Sequence, residues 1–128
     1  VGDSGLLYGA DGKTLLADIT DTAKPLEDFI VHHAVLKAPV KTGDRALARI
    51  DVQRRTRIRA NHSATHLLHK ALREVLGEHV TQKGSLVAPD RLRFDFSHGK
   101  SVSAEDIERI ERKVNRLIWR NTPISIEE

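Results

Sequence analysis

The spacing of apolar and polar positions changes period near residue 60. Before that point short runs alternate as strands do: Leu6-Leu7-Tyr8, Leu15 to Thr20, Phe29 to Leu36, and Ala46 to Val52. Asp11-Gly12 lies between the first two runs and predicts a hairpin-type turn, because glycine takes positive φ without a Cβ clash. Pro39 and Thr42-Gly43-Asp44 mark another turn. Strands this closely spaced predict a small antiparallel subdomain, barrel-like in form, over residues 1–56.

From Asn61 onward the apolar residues recur at helical spacing. Ala64, Leu68, Ala71, Leu72 and Val75 share one side until Gly77, so Asn61 reads as an N-cap and Gly77 as the stop of a helix of about four turns. Ser85 to Ala88 and Leu92 to Ser97 flank Pro89-Asp90 and read as a hairpin, with Leu92, Phe94 and Phe96 on one side. Ser103-Ala104-Glu105-Asp106 resembles a capping box, with Asp where Glu or Gln is usual. It opens a second helix carrying Ile107, Ile110, Val114, Leu117 and Ile118 on one face, ended by Asn121-Thr122-Pro123. Pro123 to Glu128 alternates like the start of a strand, and the natural chain is expected to continue into further structure. The fold class is α+β, with a core of helices and hairpin over residues 57–128.

Composition narrows the function classes modestly. The chain has 128 residues, is 39% hydrophobic and 30% charged, and has no apolar run near the roughly 20 residues of a membrane helix. No membrane partner is expected, and with no signal-peptide pattern at Val1 to Gly5 the cytoplasm is the expected location. The chain contains neither Met nor Cys. It therefore reads as an excised piece, and any metal must be held by His, Asp or Glu or by residues outside it. The net charge of +3 is uneven: residues 1–52 carry 6 basic and 8 acidic side chains, against 15 and 10 in the remainder. The second half is thus the candidate for a polyanionic partner.

Chemistry concentrates at Asn61-His62-Ser63-Ala64-Thr65-His66-Leu67-Leu68-His69. His62 and His66, four apart on a helix, stand on one face within reach of one ion, bordering the apolar stripe. Thr65 falls between the two stripes, where a hydroxyl lining a pocket beside a metal belongs. His69 is a third ligand or a support for the other two. By itself H-x-x-x-H is a common pattern, and it lacks the Glu of a zincin H-E-x-x-H, which speaks against a protease.

The surrounding residues make the pattern specific. Arg54-Arg55-x-Arg57-x-x-Asn61-His62-Ser63-Ala64-Thr65-His66-Leu67-Leu68, then Gln82-Lys83-Gly84-Ser85, then Leu92-Arg93-Phe94-Asp95-Phe96-Ser97-His98, resembles the alanyl-tRNA synthetase family over essentially the whole chain. Freestanding alanyl-tRNA editing proteins and the threonyl enzyme's second additional domain share the histidine pair, but the long string is more similar to the synthetase. The resemblance implies a β-barrel segment followed by a two-layer α/β editing core, truncated here, with a zinc-ligand helix. It implies zinc held by His62 and His66, completed by a Cys and a His from a downstream segment that this sequence stops short of. It places Thr65 and Gln82 in the editing pocket; Gln82 alone reads equally as a polar loop residue. The implied reaction is hydrolysis of the ester joining serine or glycine to tRNA specific for alanine. ATP and Mg would serve an aminoacylation module absent from this chain.

A second site is needed for such editing because one methylene or hydroxyl gives a synthetic pocket only about 10- to 200-fold discrimination. Ser63 and Ser85 have no visible histidine and carboxylate partners and read as helix and turn residues, not nucleophiles. Arg54, Arg55, Arg57 and Arg59, just ahead of the histidines, are the expected tRNA phosphate contacts, although an exposed alternating strand would also explain them. Arg109, Arg112, Lys113, Arg116 and Arg120 crowd the polar side of the second helix. They fit a phosphate track, but a solvated face with Glu105–Arg109 and Glu108–Arg112 pairs explains them more simply. Trp119 reads as an aromatic at the edge of that side, while His32, His33, His79 and His98 receive no role. Two alternatives stand beside the synthetase piece: a freestanding trans-editing deacylase, and a non-catalytic tRNA-binding module whose histidines are structural.

Overall fold

The first turn closes on Asp11. Its carboxylate accepts the Lys13 and Thr14 backbone N–H groups, each at 3.0 Å, and the Thr14 hydroxyl at 2.7 Å, while Gly12 takes φ +68°. The Thr14 hydroxyl, then the Thr14 and Lys13 amides, hold the Asp11 carboxyl down at about 2 from its ordinary 3.8. This turn joins β1 (Gly5–Gly9) to β2 (Leu15–Leu26), which pairs in turn with β3 (Phe29–Leu36). A fourth strand, β4 (Ala46–Ile50), returns to the free edge of β1.

The computed structural model describes residues 1–121, so the strand expected from Pro123 onward lies outside the described residues. The chain divides into two compact units, Val1–Arg57 and Ile58–Glu128. The first holds a four-stranded antiparallel sheet of order β3-β2-β1-β4. It is an open sheet, with no β3 to β4 pairing among the described residues, so in place of the expected barrel-like form the strands make a four-stranded antiparallel sheet and not a closed barrel. Its small core is Ala17 and Ile19, 1% and 7% exposed, which share the face of Leu7, Ala34 and Ile50 by strand alternation.

After β4 the chain turns helical much earlier than its alternation suggests. Helix α1 runs Val52–Leu76, 25 residues, and not from Asn61. Asp51 is the reason: its carboxylate accepts the Arg54 N–H at 3.0 Å and its carbonyl the Arg55 N–H at 3.0 Å, so an N-cap sits ten residues before the expected one. Gln53, Arg54, Arg55, Arg57, Arg59 and Ala60 are good helix formers, and exposed side chains there impose no strand. Gly77 ends the helix with φ +125°.

The second unit has its own core. Ala71, Leu72, Val80 and Ile110 are buried, with Leu68, Val75, Phe94, Phe96 and Val114 packed around them. The hairpin of β5 (Gln82–Val87) and β6 (Leu92–Phe96) contributes the two phenylalanines, whose ring centroids are 6.2 Å apart. Helix α2 (Ala104–Arg120) contributes Ile110 and Val114. Its N-cap is Ser103, whose hydroxyl accepts the Asp106 N–H at 3.1 Å, and its C-cap is Asn121 at φ 48°. None of the described helices is long and apolar enough to cross a membrane.

Candidate functional site

Helix α1 carries His62 and His66 on the side opposite the buried Ala71, with the buried Thr65 and Leu72 bordering them. His62 and His66 are exposed, with ring centroids 5.0 Å apart and planes at 67°. Two imidazoles bound to one tetrahedral ion would have centroids about 5 Å apart, so the spacing of the pair suits a shared metal. Among the described residues no third His, Cys, Asp or Glu joins them in a metal-sized group.

His69 stands apart from that pair. Its ring packs on Phe94 at 5.1 Å, and its Nε2 is buried without a hydrogen-bond partner among the described residues. With His66 it lines one open groove of about 570 Å³, whose other walls include Lys70, Arg73, Glu74 and Gly77. Glu74 there bonds to the Lys113 ammonium of α2, and that bond holds its carboxyl below the usual range. The groove therefore mixes both signs of charge beside the histidines.

Thr65 is buried, 7% exposed, and its hydroxyl donates to the Asn61 carbonyl at 2.8 Å. Its oxygen is thus engaged with its own helix. Asn61, expected as a cap, instead sits inside α1 and donates its side-chain amide to the Ala88 carbonyl at 2.7 Å, tying the helix to the end of β5. Gln82 is exposed at the first position of β5, opposite Phe96. A bulge follows at once, Gly84 pairing with Asp95 so that Lys83 is the extra residue. Such a bulge redirects neighbouring side chains. No hydrogen bond joins Gln82 to Thr65 or to the histidines among the described residues.

The four arginines ahead of the histidines lie on a helix and not on a strand. Arg54 donates to the Gly2 carbonyl at 2.6 Å, and Arg55 pairs with Asp3 at 3.9 Å. Arg57 and Arg59 are exposed and make no hydrogen bond or ion pair among the described residues. Sequence reasoning missed a further pair, His79 and His98. Their rings stack with Nε2 to Nδ1 at 2.8 Å, next to a Thr81 to Ser97 hydroxyl bond of 2.7 Å. These residues are 19 and 16 positions apart, so no local pattern announces them.

No protein-family model matches the chain. Alanine–tRNA ligase from Sinorhizobium medicae is 54% identical over 125 residues, 97% of this chain and 14% of the ligase. The enzyme of that name from Mesorhizobium japonicum is 52% identical over 126 residues, and that from Rhizobium meliloti 53% over 125, each again matched over 14% of its length. The chain thus spans about one-seventh of the curated relatives it matches. At this identity over nearly its whole extent, the chain belongs to the alanine–tRNA ligase family, to which it corresponds over one limited stretch.

Proposed function

We propose that this chain is the editing region of a cytoplasmic alanine–tRNA ligase, an ATP-dependent enzyme, and that its reaction is hydrolysis of Ser- or Gly-tRNA specific for alanine. The carrying observation is the exposed His62 and His66 pair, 5.0 Å between rings, on a helix whose opposite face is buried in the core. That geometry leaves both imidazoles open to solvent while the backbone beneath them is held. His62 and His66 would hold zinc with ligands from elsewhere in the ligase. When bound, the ion supplies a Lewis acid that polarises an ester carbonyl or a water.

The chain's own residues then have distinct tasks. In the hydrolysis, water adds to the acyl carbon, the bond to the ribose oxygen breaks, and a proton passes to that oxygen, releasing the amino acid and free tRNA. No side chain of the site need form a covalent intermediate, and among the described residues no serine is hydrogen-bonded to a histidine paired with a carboxylate. Thr65 and Gln82 are the proposed readers of the small side chain. Arg57 and Arg59, exposed on α1, are better placed for phosphates than Arg54 and Arg55, which already serve Gly2 and Asp3.

The test is release of serine from Ser-tRNA by the intact ligase, with zinc content measured on the same sample. His62→Ala together with His66→Ala should lose both zinc and release. Release at the unmodified rate in that variant would remove the reading. One observation favours the non-catalytic alternative: the Thr65 hydroxyl is already bonded to Asn61, as in a purely structural role. A tRNA-binding module would keep its affinity in the double histidine variant and show no hydrolysis before or after.

A further inference from the structure

The exposed side of α2 carries charges and an indole that the hydrolytic site does not use. Lys113 is bonded to Glu74, and Arg112 to Glu108 at 2.6 Å. Arg109, Arg116 and Arg120 make no hydrogen bond or ion pair among the described residues, and the expected Glu105 to Arg109 pair is not formed. At about 100° per residue these three guanidiniums fall within about 40° of one another, on a line roughly 16 Å long. Arg120, at the C-terminal turn, also answers the helix dipole and adds its charge to that of Lys113 in lowering the Glu74 carboxyl.

Trp119 adds a second, independent feature. It is 88% exposed, the most exposed of the large hydrophobic side chains among the described residues. An uncovered indole forgoes the burial that usually places Trp inside. Its position on the helix indicates what covers it. The core-facing Ile110 and Val114 occupy one side, which Leu117 shares by helical spacing, and the half-exposed Ile107 and Ile118, 47% and 51%, border it. Trp119 lies about 100° beyond Ile118, away from the core and among Arg112 and Arg116. A protein segment extending the apolar face would reach Ile107 and Ile118, not Trp119. A flat aromatic beside the unpaired Arg116, with Glu108 taken up by Arg112, matches the chemistry of an unpaired nucleotide, with phosphates on guanidiniums and a base on the ring.

We propose that α2 is a contact for single-stranded RNA, with Arg109, Arg116 and Arg120 holding phosphates and Trp119 stacking on an unpaired base. The contact needs neither metal nor histidine. Trp119 is the single tryptophan, so it reports directly on its own stacking. The experiment is a fluorescence titration of the full chain with a short single-stranded oligoribonucleotide at several salt concentrations. Saturable quenching is expected, with log K falling against log salt at a slope near −2 for three phosphates on a single strand. Arg116→Ala and Arg120→Ala should each flatten that slope by about 0.7. Trp119→Ala, followed by anisotropy of labelled RNA, should weaken binding roughly 5- to 150-fold, with Trp119→Phe retaining most of it.

Absence of quenching, or binding unmoved by all three substitutions, overturns the proposal. So does a lowered thermal midpoint with unchanged tRNA affinity for Trp119→Ala in the intact ligase, because that result means a protein segment covers the indole. His62→Ala with His66→Ala should leave the quenching unchanged, so this contact and the hydrolytic reading fail separately.

Discussion

Replacing Thr65 by valine separates the structural and the functional roles of its hydroxyl. The oxygen donates at 2.8 Å to the Asn61 carbonyl, which also receives the helix N–H four residues on. Deleting the hydroxyl therefore strands no acceptor, and valine keeps the branched shape in a site only 7% exposed. The net value of such a bond is about 1 kcal/mol, and back-bonding of this kind contributes less, so stability should move by at most about 1 kcal/mol in either direction. If the hydroxyl instead reads serine during editing, it must turn from Asn61 toward the substrate. Its removal then costs about 1–3 kcal/mol, or roughly 5- to 150-fold in kcat/KM for Ser-tRNA. Gly-tRNA, with no hydroxyl to read, should lose less. The assay is deacylation of both substrates by the intact ligase, beside urea unfolding of the same variant. A stability loss above about 2 kcal/mol, or equal losses for both substrates, would refute the reasoning.

Leu72→Ala should destabilise the second unit by about 2–5 kcal/mol, because Leu72 is 4% exposed among Ala71, Val80 and Ile110, and an unfilled cavity would remain; a urea midpoint shift measures it. The Asp11 carboxyl, held at about 2 from an ordinary 3.8, lends stability that is present above pH 3.8 and is lost as pH falls through about 2. Asp11→Asn should therefore flatten the acid limb of the first unit's stability over that window, as followed by circular dichroism against pH.

Much of the local structure is legible in the residues. Ser103 and Asn121 bound α2 where they stand because a cap depends on a few adjacent groups: a hydroxyl reaching the Asp106 N–H, and an asparagine able to take φ 48°. Asp11-Gly12 marks its turn for the same reason. Periodicity alone separated the strand-rich first part from the helical second, and it placed Leu72 and Ile110 inward. Where local signals compete, the reading slipped. Asp51 and Asn61 are both good caps, and arginines with Ile58 between them alternate like a strand, so the local signals place the N-cap of α1 ten residues late.

The residues by themselves determined the family, the helical histidine pair and the division between β-rich and helical parts, because motif, period and caps are all encoded in neighbours along the chain. Tertiary structure decided the rest. It left the sheet open, turned Asn61 from a cap into a tie to Ala88, and brought His79 to His98 across 19 positions. The Asn61 and His79 contacts depend on which distant backbone or ring arrives at hydrogen-bonding distance, and in the second unit that is set by packing around Leu72 and Val80 rather than by any local pattern.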